Sequence, residues 1–272
     1  MTCEPVLFHT SEQVLSSFAR VTDPGGLPAA VVVDWEERGK ERRQAHARMA
    51  IGLVPSQSRD DPAALARVRR LLPQVPVVCR VDGPGDLAGV DAAIAGGAVE
   101  VLLPMVRHED EVDRVLEWAD GRIGVGVMVE TREAVDRVDQ LVARPLSRAY
   151  LGLVDLALDR GTTSIFSAFT DGAVDHVASH VAGTTAFGVG GLTLPGHGDP
   201  VPVELLAGEI LRVGSHFSFL RRSFLRHLAS TPPDAGIRAV RDMLAGLSRR
   251  TPAEVERDRV AFGDLCRGEV PA

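Results

Sequence analysis

The stretch GVGVMVETREAVDRVDQLVARPLSRAYLGLVD, residues 124–155, decides the fold. It opens on an apolar run from Gly124 to Glu130, passes through an amphipathic segment from Arg132 to Leu141, and closes on a second apolar run from Arg148 to Asp155. Neither run alternates polar with apolar residues, which is the pattern of strands buried on both faces. A helix joining two such strands makes a parallel βαβ unit. Each run also ends in a carboxylate, Glu130 before Thr131 and Asp155 before Leu156. In a barrel-like α/β chain, residues at the C-terminal strand ends face the usual active-site side. Two carboxylates there, with no lysine beside either, make a ligand pair for a hard divalent cation such as Mg²⁺. On this reading the chain is a metal-dependent enzyme rather than a binding module.

The same unit repeats in both directions. Strand-like runs precede it at Pro5 to His9, Ala29 to Asp34, Val75 to Val81 and Val99 to Pro104, and follow it at Thr185 to Val189 and Gly214 to Leu220. Helical patterns lie between, at Glu12 to Arg20 behind the cap Ser11, Pro62 to Leu72 behind Asp61, Asp86 to Ala95, Glu109 to Ala119 and Val201 to Arg212. Eight strands alternating with helices predict a (β/α)₈ TIM barrel, which takes about 250 residues and fits a chain of 272. The competing architecture is an open doubly wound sheet, but no GxGxxG turn follows the first strand. After Ser230 the pattern changes: Thr231, Pro232 and Pro233 break the chain, and two helices follow, Ala235 to Arg249 and Pro252 to Leu265 with Thr251 as cap. The expected division is a barrel over 1–230 and a helical C-terminal extension over 231–272.

Composition narrows the function. A net charge of −7 with no basic stripe argues against nucleic acid as the partner. No apolar run reaches the length of a membrane span and no leader pattern opens the chain, so a cytoplasmic protein is expected. Cys3, Cys79 and Cys266 lie far apart, which predicts neither disulfides nor a zinc site. Arg42 and Arg43 read better as a solvated helix face than as an anion grip. His176 and His180 share a helix face without an acid to complete a metal set, and His197 sits on the Gly-rich stretch Gly188 to Gly198, an active-site loop or simple turn.

Taken in order, VVVDWEERGK (31–40), VVCRVDGPG (77–85), VEVLLPMV (99–106), VMVETREAV (127–135) and YLGLVDLALDRG (150–161) resemble the HpcH/HpaI aldolase and citrate lyase β-subunit superfamily over roughly residues 5–190. The resemblance implies Glu130 and Asp155 as ligands of Mg²⁺, Mn²⁺ or Co²⁺, and Arg80 as the group that holds a substrate carboxylate or keto oxygen. It places Asp34 as an orienting acid and Glu37 in the region of the catalytic base. Pro104 is a further expected substrate contact, and from their place at the end of the eighth strand Arg221 or Arg222 is expected to bind a distal carboxylate or phosphate of the substrate. The resemblance implies a carbon–carbon lyase or aldolase acting through an enolate on a pyruvate-type hydroxy-keto acid. The alternatives are a lyase or hydrolase of acyl thioesters, or a barrel that has lost activity and serves as a subunit. It also implies a homo-oligomer, a trimer or hexamer, with the tail after Ser230 as the assembling element. Structural alternatives stay open: Glu130 and Asp155 as helix caps, Arg80 as an ion-pair partner, Glu37 as a solvated loop acid. Departures from the family pattern at Val154, Asp82 and His216 to Leu228 bear on the substrate more than on the metal.

Overall fold

The computed structural model describes residues 3–37, Lys40, Arg43, 60–228 and 231–267. Eight parallel strands form the sheet: β1 Glu4–Val6, β2 Val31–Asp34, β3 Val77–Arg80, β4 Glu100–Leu103, β5 Gly124–Val129, β6 Arg148–Leu151, β7 Ala186–Leu192 and β8 Phe217–Leu220. Each pairs with its sequence neighbour from β2 to β8, and β8 pairs with β1. The seam between β1 and β2 is closed by a bridge from Leu7 to Val31, with the Leu7 N–H on the Ala30 carbonyl at 2.9 Å and the Val32 N–H on the Leu7 carbonyl at 2.8 Å. This is the expected (β/α)₈ barrel.

The helices with described bounds are α1 Glu12–Phe18, α2 Ala64–Leu71, α3 Leu87–Gly96, α4 Glu109–Ala119, α5 Arg132–Asp136, α6 Val138–Val142, α7 Leu153–Arg160, α8 Ser167–Thr170, α9 Ala173–Val181, α10 Val203–Arg212, α11 Arg222–His227, α12 Pro233–Leu247 and α13 Pro252–Arg267. Ser11 caps α1 as expected, accepting from the Val14 N–H. Arg132 to Leu141 is interrupted at Arg137 and forms two short helices instead of one. Asp61 accepts from the Ala63 N–H at 2.8 Å, one step before α2 begins, rather than capping it.

The second apolar run of the 124–155 stretch shows what periodicity leaves undecided. Arg148 to Asp155 reads as one strand, but β6 stops at Leu151 and Asp155 lies in the first turn of α7. A short buried apolar run suits strand or helix equally. Leu and Ala at 151–158 favour the helix once the strand has crossed the barrel.

The division at 231 falls inside the last β/α unit. Helix α12 takes the place of the eighth barrel helix, packing on α1, α10 and β1. Its Arg241 reaches Glu4 at 2.8 Å and the carbonyls of Gly25 and Leu27 at 2.7 and 2.8 Å. Helix α13 is the addition to the eightfold plan. Its Phe262 is buried against Phe166 and Phe169, and the helix packs on α8 and α10 of its own chain.

Burial follows the pleat. Outward residues such as Val33, Cys79, Val101 and Val127 join one apolar shell with the helices. Inward residues Val32, Val78, Leu102, Met128, Tyr150, Phe217 and Phe219 fill the barrel. At the N-terminal end Arg148 and Glu100 plug the interior at 2.6 Å, and Gly126 leaves them room. The apolar middle layer therefore supports a polar layer at the C-terminal mouth.

Candidate active site at the barrel mouth

Asp34 and Arg80 are register partners at the ends of β2 and β3. Arg80 donates from Nε to Asp34 Oδ1 at 2.9 Å and from Nη2 to Oδ2 at 2.8 Å, a bidentate pair. Its Nη1 pairs with Glu36 Oε2 at 3.0 Å, and its guanidinium lies 4.9 Å from the centre of the Phe8 ring. Lys40 Nζ also donates to Asp34. Burial alone would raise the Asp34 carboxyl, yet the Arg80 and Lys40 charges hold it at about 2. Asp34 is thus a permanent anion that fixes Arg80.

Glu130 closes β5 and is 1% exposed. Its Oε1 accepts from the Met105 N–H at 2.8 Å. Buried Pro104 leads out of β4, and Met105 takes a left-handed turn with φ of 54° that aims this N–H at the carboxylate. Gly152 stands against the other oxygen, where a Cβ would collide with the Glu130 carboxylate. Burial, then the charges of Asp155 and Glu36, push Glu130 up to about 8. Helix capping is not its role, since Thr131 caps α5 by accepting from the Ala134 N–H. The N-cap of α7 is Gly152, so Asp155 is not a cap either.

Two residues of the site escape the sequence reading. Glu36, 3% exposed, holds the position that reading gave to Glu37. Asp34 and Glu36 lie two apart on the inward face, whereas Glu37 is exposed and its N–H donates to Asp82 Oδ1 at 2.6 Å. Period-2 alternation from Asp34 is the signal that finds Glu36. Arg43, read as a solvated helix residue, instead donates from Nε to Asp155 Oδ1 at 2.8 Å and pairs with Glu36. Nothing local marks it, because its partners are 7 and 112 residues away. Arg42 lies outside the described residues.

The other candidates are placed as follows. Arg221 follows β8 at the same mouth, with its guanidinium over Phe166. His197 stacks on His227 with ring centres 3.8 Å apart, and His176 lies against His180 on α9. Among the described residues no group of three or more His, Cys, Asp or Glu side chains forms a metal cluster. No described helix is long and apolar enough to cross a membrane.

No protein-family model matches the sequence, and no curated protein matches it. Solved structures do match. An HpcH/HpaI aldolase/citrate lyase family protein from Burkholderia cenocepacia superimposes with a TM-score of 0.62 at 15% identity, over 83% of this chain and 91% of that one. The chain shares the (β/α)₈ barrel fold of that protein. The citrate synthase SbnG matches with a TM-score of 0.58 at 17% identity, covering 85% of this chain and 91% of its own. Macrophomate synthase matches with 0.56 at 14% identity, covering 84% and 81%. The motif resemblance and the backbone thus point to the same barrel.

Proposed function

We propose that this chain is a divalent-metal-dependent carbon–carbon lyase or aldolase acting on a hydroxy-keto acid of the pyruvate type. What supports this most is the meeting of Glu130, Asp155, Glu36 and Arg80 at the mouth of a barrel shared with an aldolase/citrate lyase family protein and two synthases. The donor set suits a hard cation. The Asp155 charge adds to the cost of ionising fully buried Glu130, and a counter-charge relieves this. Mg²⁺ takes one or two carboxylates and fills its other positions with water and substrate oxygens. Glu130 and Asp155 would therefore hold Mg²⁺, Mn²⁺ or Co²⁺. When bound, the ion would act as a Lewis acid toward the carbonyl beside the bond that breaks.

The protein's own groups do the rest. Arg80 is held rigid by Asp34 and Glu36, and the terminal N–H groups not turned to those two carboxylates would meet a substrate carboxylate or the oxygen on which charge develops. Asp34, ionised throughout the useful pH range, orients Arg80 and carries no proton. Glu36 takes over from Glu37 as the base for the substrate hydroxyl, being the carboxylate of that loop that enters the site.

The test is exchange of the methyl protons of pyruvate in D₂O. Exchange that needs Mn²⁺, stops with EDTA and is lost in Glu130→Ala supports the enolate site. No exchange with any metal refutes the pyruvate reading and redirects it to acyl thioesters or an inactive barrel.

A further inference from the structure

The setting of Arg221 differs from that of the other arginines withdrawn into the barrel or its helices. Arg80 has Asp34 and Glu36, Arg148 has Glu100, Arg212 has Asp175 and Glu209, and Arg250 has Asp258. Arg221 has no carboxylate partner among the described residues. Its guanidinium lies 5.7 Å from the centre of the Phe166 ring, and burial pulls its pKa down. A guanidinium taken from water without a counter-ion is costly, and the cost falls when an anion arrives.

The position is also built. Arg221 directly follows β8, and its backbone N–H donates to the Leu192 carbonyl at 2.7 Å, tying it to the end of β7. The side chain crosses Gly191, where a Cβ would come within 2.9 Å of Arg221 Cγ and 3.3 Å of Nε. Phe166, the opposite wall, belongs to the segment after α7, the helix that carries Asp155. Tyr150 in the barrel centre feels the charges of Glu130, Arg221 and Arg80 together, so these groups share one mouth.

We propose that Arg221 receives a second anionic group, a carboxylate or a phosphate, at the end of the substrate away from the keto acid. The preferred substrates are then dianions that span the mouth from Glu130, Asp155 and Arg80 to the end of β8. This rests on the keto-acid reading for one end of the molecule only. Arg221 supplies a planar donor fork suited to either anion.

The experiment is calorimetric binding of three probes, pyruvate, 2-oxoglutarate and 3-phosphonopyruvate, each with Mn²⁺ and with EDTA. The proteins are the full chain and its Arg221→Met, Arg221→Lys and Gly191→Ala variants. Wild type should bind at least one dianion more than about tenfold tighter than pyruvate, and which one separates a carboxylate site from a phosphate site. Arg221→Met should weaken that dianion by about 10- to 100-fold, the worth of charged hydrogen bonds, and leave pyruvate within about twofold. Arg221→Lys should fall between, and Gly191→Ala should weaken the dianion by displacing the side chain. Arg221→Met should melt no lower than wild type, since it removes a half-buried charge that has no carboxylate partner among the described residues. The inference is overturned if dianions bind no tighter than pyruvate, if Arg221→Met weakens all probes alike, or if nothing binds in either condition. Dianion binding that survives EDTA yet still depends on Arg221 keeps the subsite and sinks the metal reading. Dianion binding that needs Mn²⁺ but ignores Arg221 does the reverse.

Discussion

Glu130 makes the metal-free protein weaker as pH rises. Its carboxyl moves from an ordinary 4.5 to about 8 in the folded chain, through burial and the charges of Asp155 and Glu36. Between these values the folded state keeps a proton that the unfolded state has released. Unfolding then releases a proton, and stability falls with rising pH by up to about 1.36 kcal/mol per pH unit. Across the window the loss has an upper bound of about 5 kcal/mol, a large share of the stability of an ordinary domain. His9 and His227, both lowered by burial, act in the opposite sense near the same pH, so the whole-protein curve is not the measure. The difference between wild type and Glu130→Gln isolates the effect, because the amide keeps an acceptor for the Met105 N–H and cannot ionise. Urea unfolding in EDTA should give a difference that grows steadily from pH 5 to pH 8, with the variant the more stable at the upper end. Mn²⁺ at a hundred times its dissociation constant should return about 2.7 kcal/mol to wild type at pH 8 and little to the variant. A difference that stays flat across the window would refute the reasoning, since Glu130 would then ionise freely in the fold.

Three further outcomes follow from other parts of the structure. Asp34→Asn removes the bidentate partner of a buried guanidinium and should cost about 3–5 kcal/mol by urea unfolding at pH 7. It should also abolish a smaller loss that wild type shows in acid, because the Asp34 pairing stabilises the fold above the ordinary 3.8 and fades as pH falls through about 2. Arg43→Ala frees Asp155 from a competing positive charge, and Mn²⁺ titration should show binding about tenfold tighter, the worth of one charged hydrogen bond of roughly 1.5 kcal/mol. Weaker binding would show that Arg43 supports the site instead. Arg148→Met leaves Glu100 buried without its cation at the closed end of the barrel, and the melting curve should shift down by several degrees with Mn²⁺ affinity unchanged.

The barrel was legible because its strands are continuous apolar runs and its longer helices carry clear caps and faces, as at Ser11 and Glu109–Ala119. Glu130 and Asp155 stood out because each ends an apolar run in the sequence, although β6 stops at Leu151 and Asp155 reaches the mouth from the first turn of α7. Legibility failed where one residue step or a long-range contact decides. Glu36 and Glu37 are adjacent acids, and only the pleat running on from Asp34 separates the buried one from the exposed one. Arg43 becomes part of the site through Asp155, which no local pattern connects to it. The eighth helix was read as a tail because Pro232 and Pro233 look like a domain break. They open α12 instead, with proline placed where a helix start tolerates it.

The central claim is that Glu130 and Asp155 together hold a divalent cation open to a keto acid. Electron paramagnetic titration of Mn²⁺ into the full-length chain tests it most directly, with oxalate added as a mimic of the planar enolate. One Mn²⁺ per chain should bind, its spectrum should change on adding oxalate, and both signals should vanish in Asp155→Asn and Glu130→Gln. Mn²⁺ bound equally well by wild type and both variants, or a bound ion that oxalate cannot reach, would contradict it.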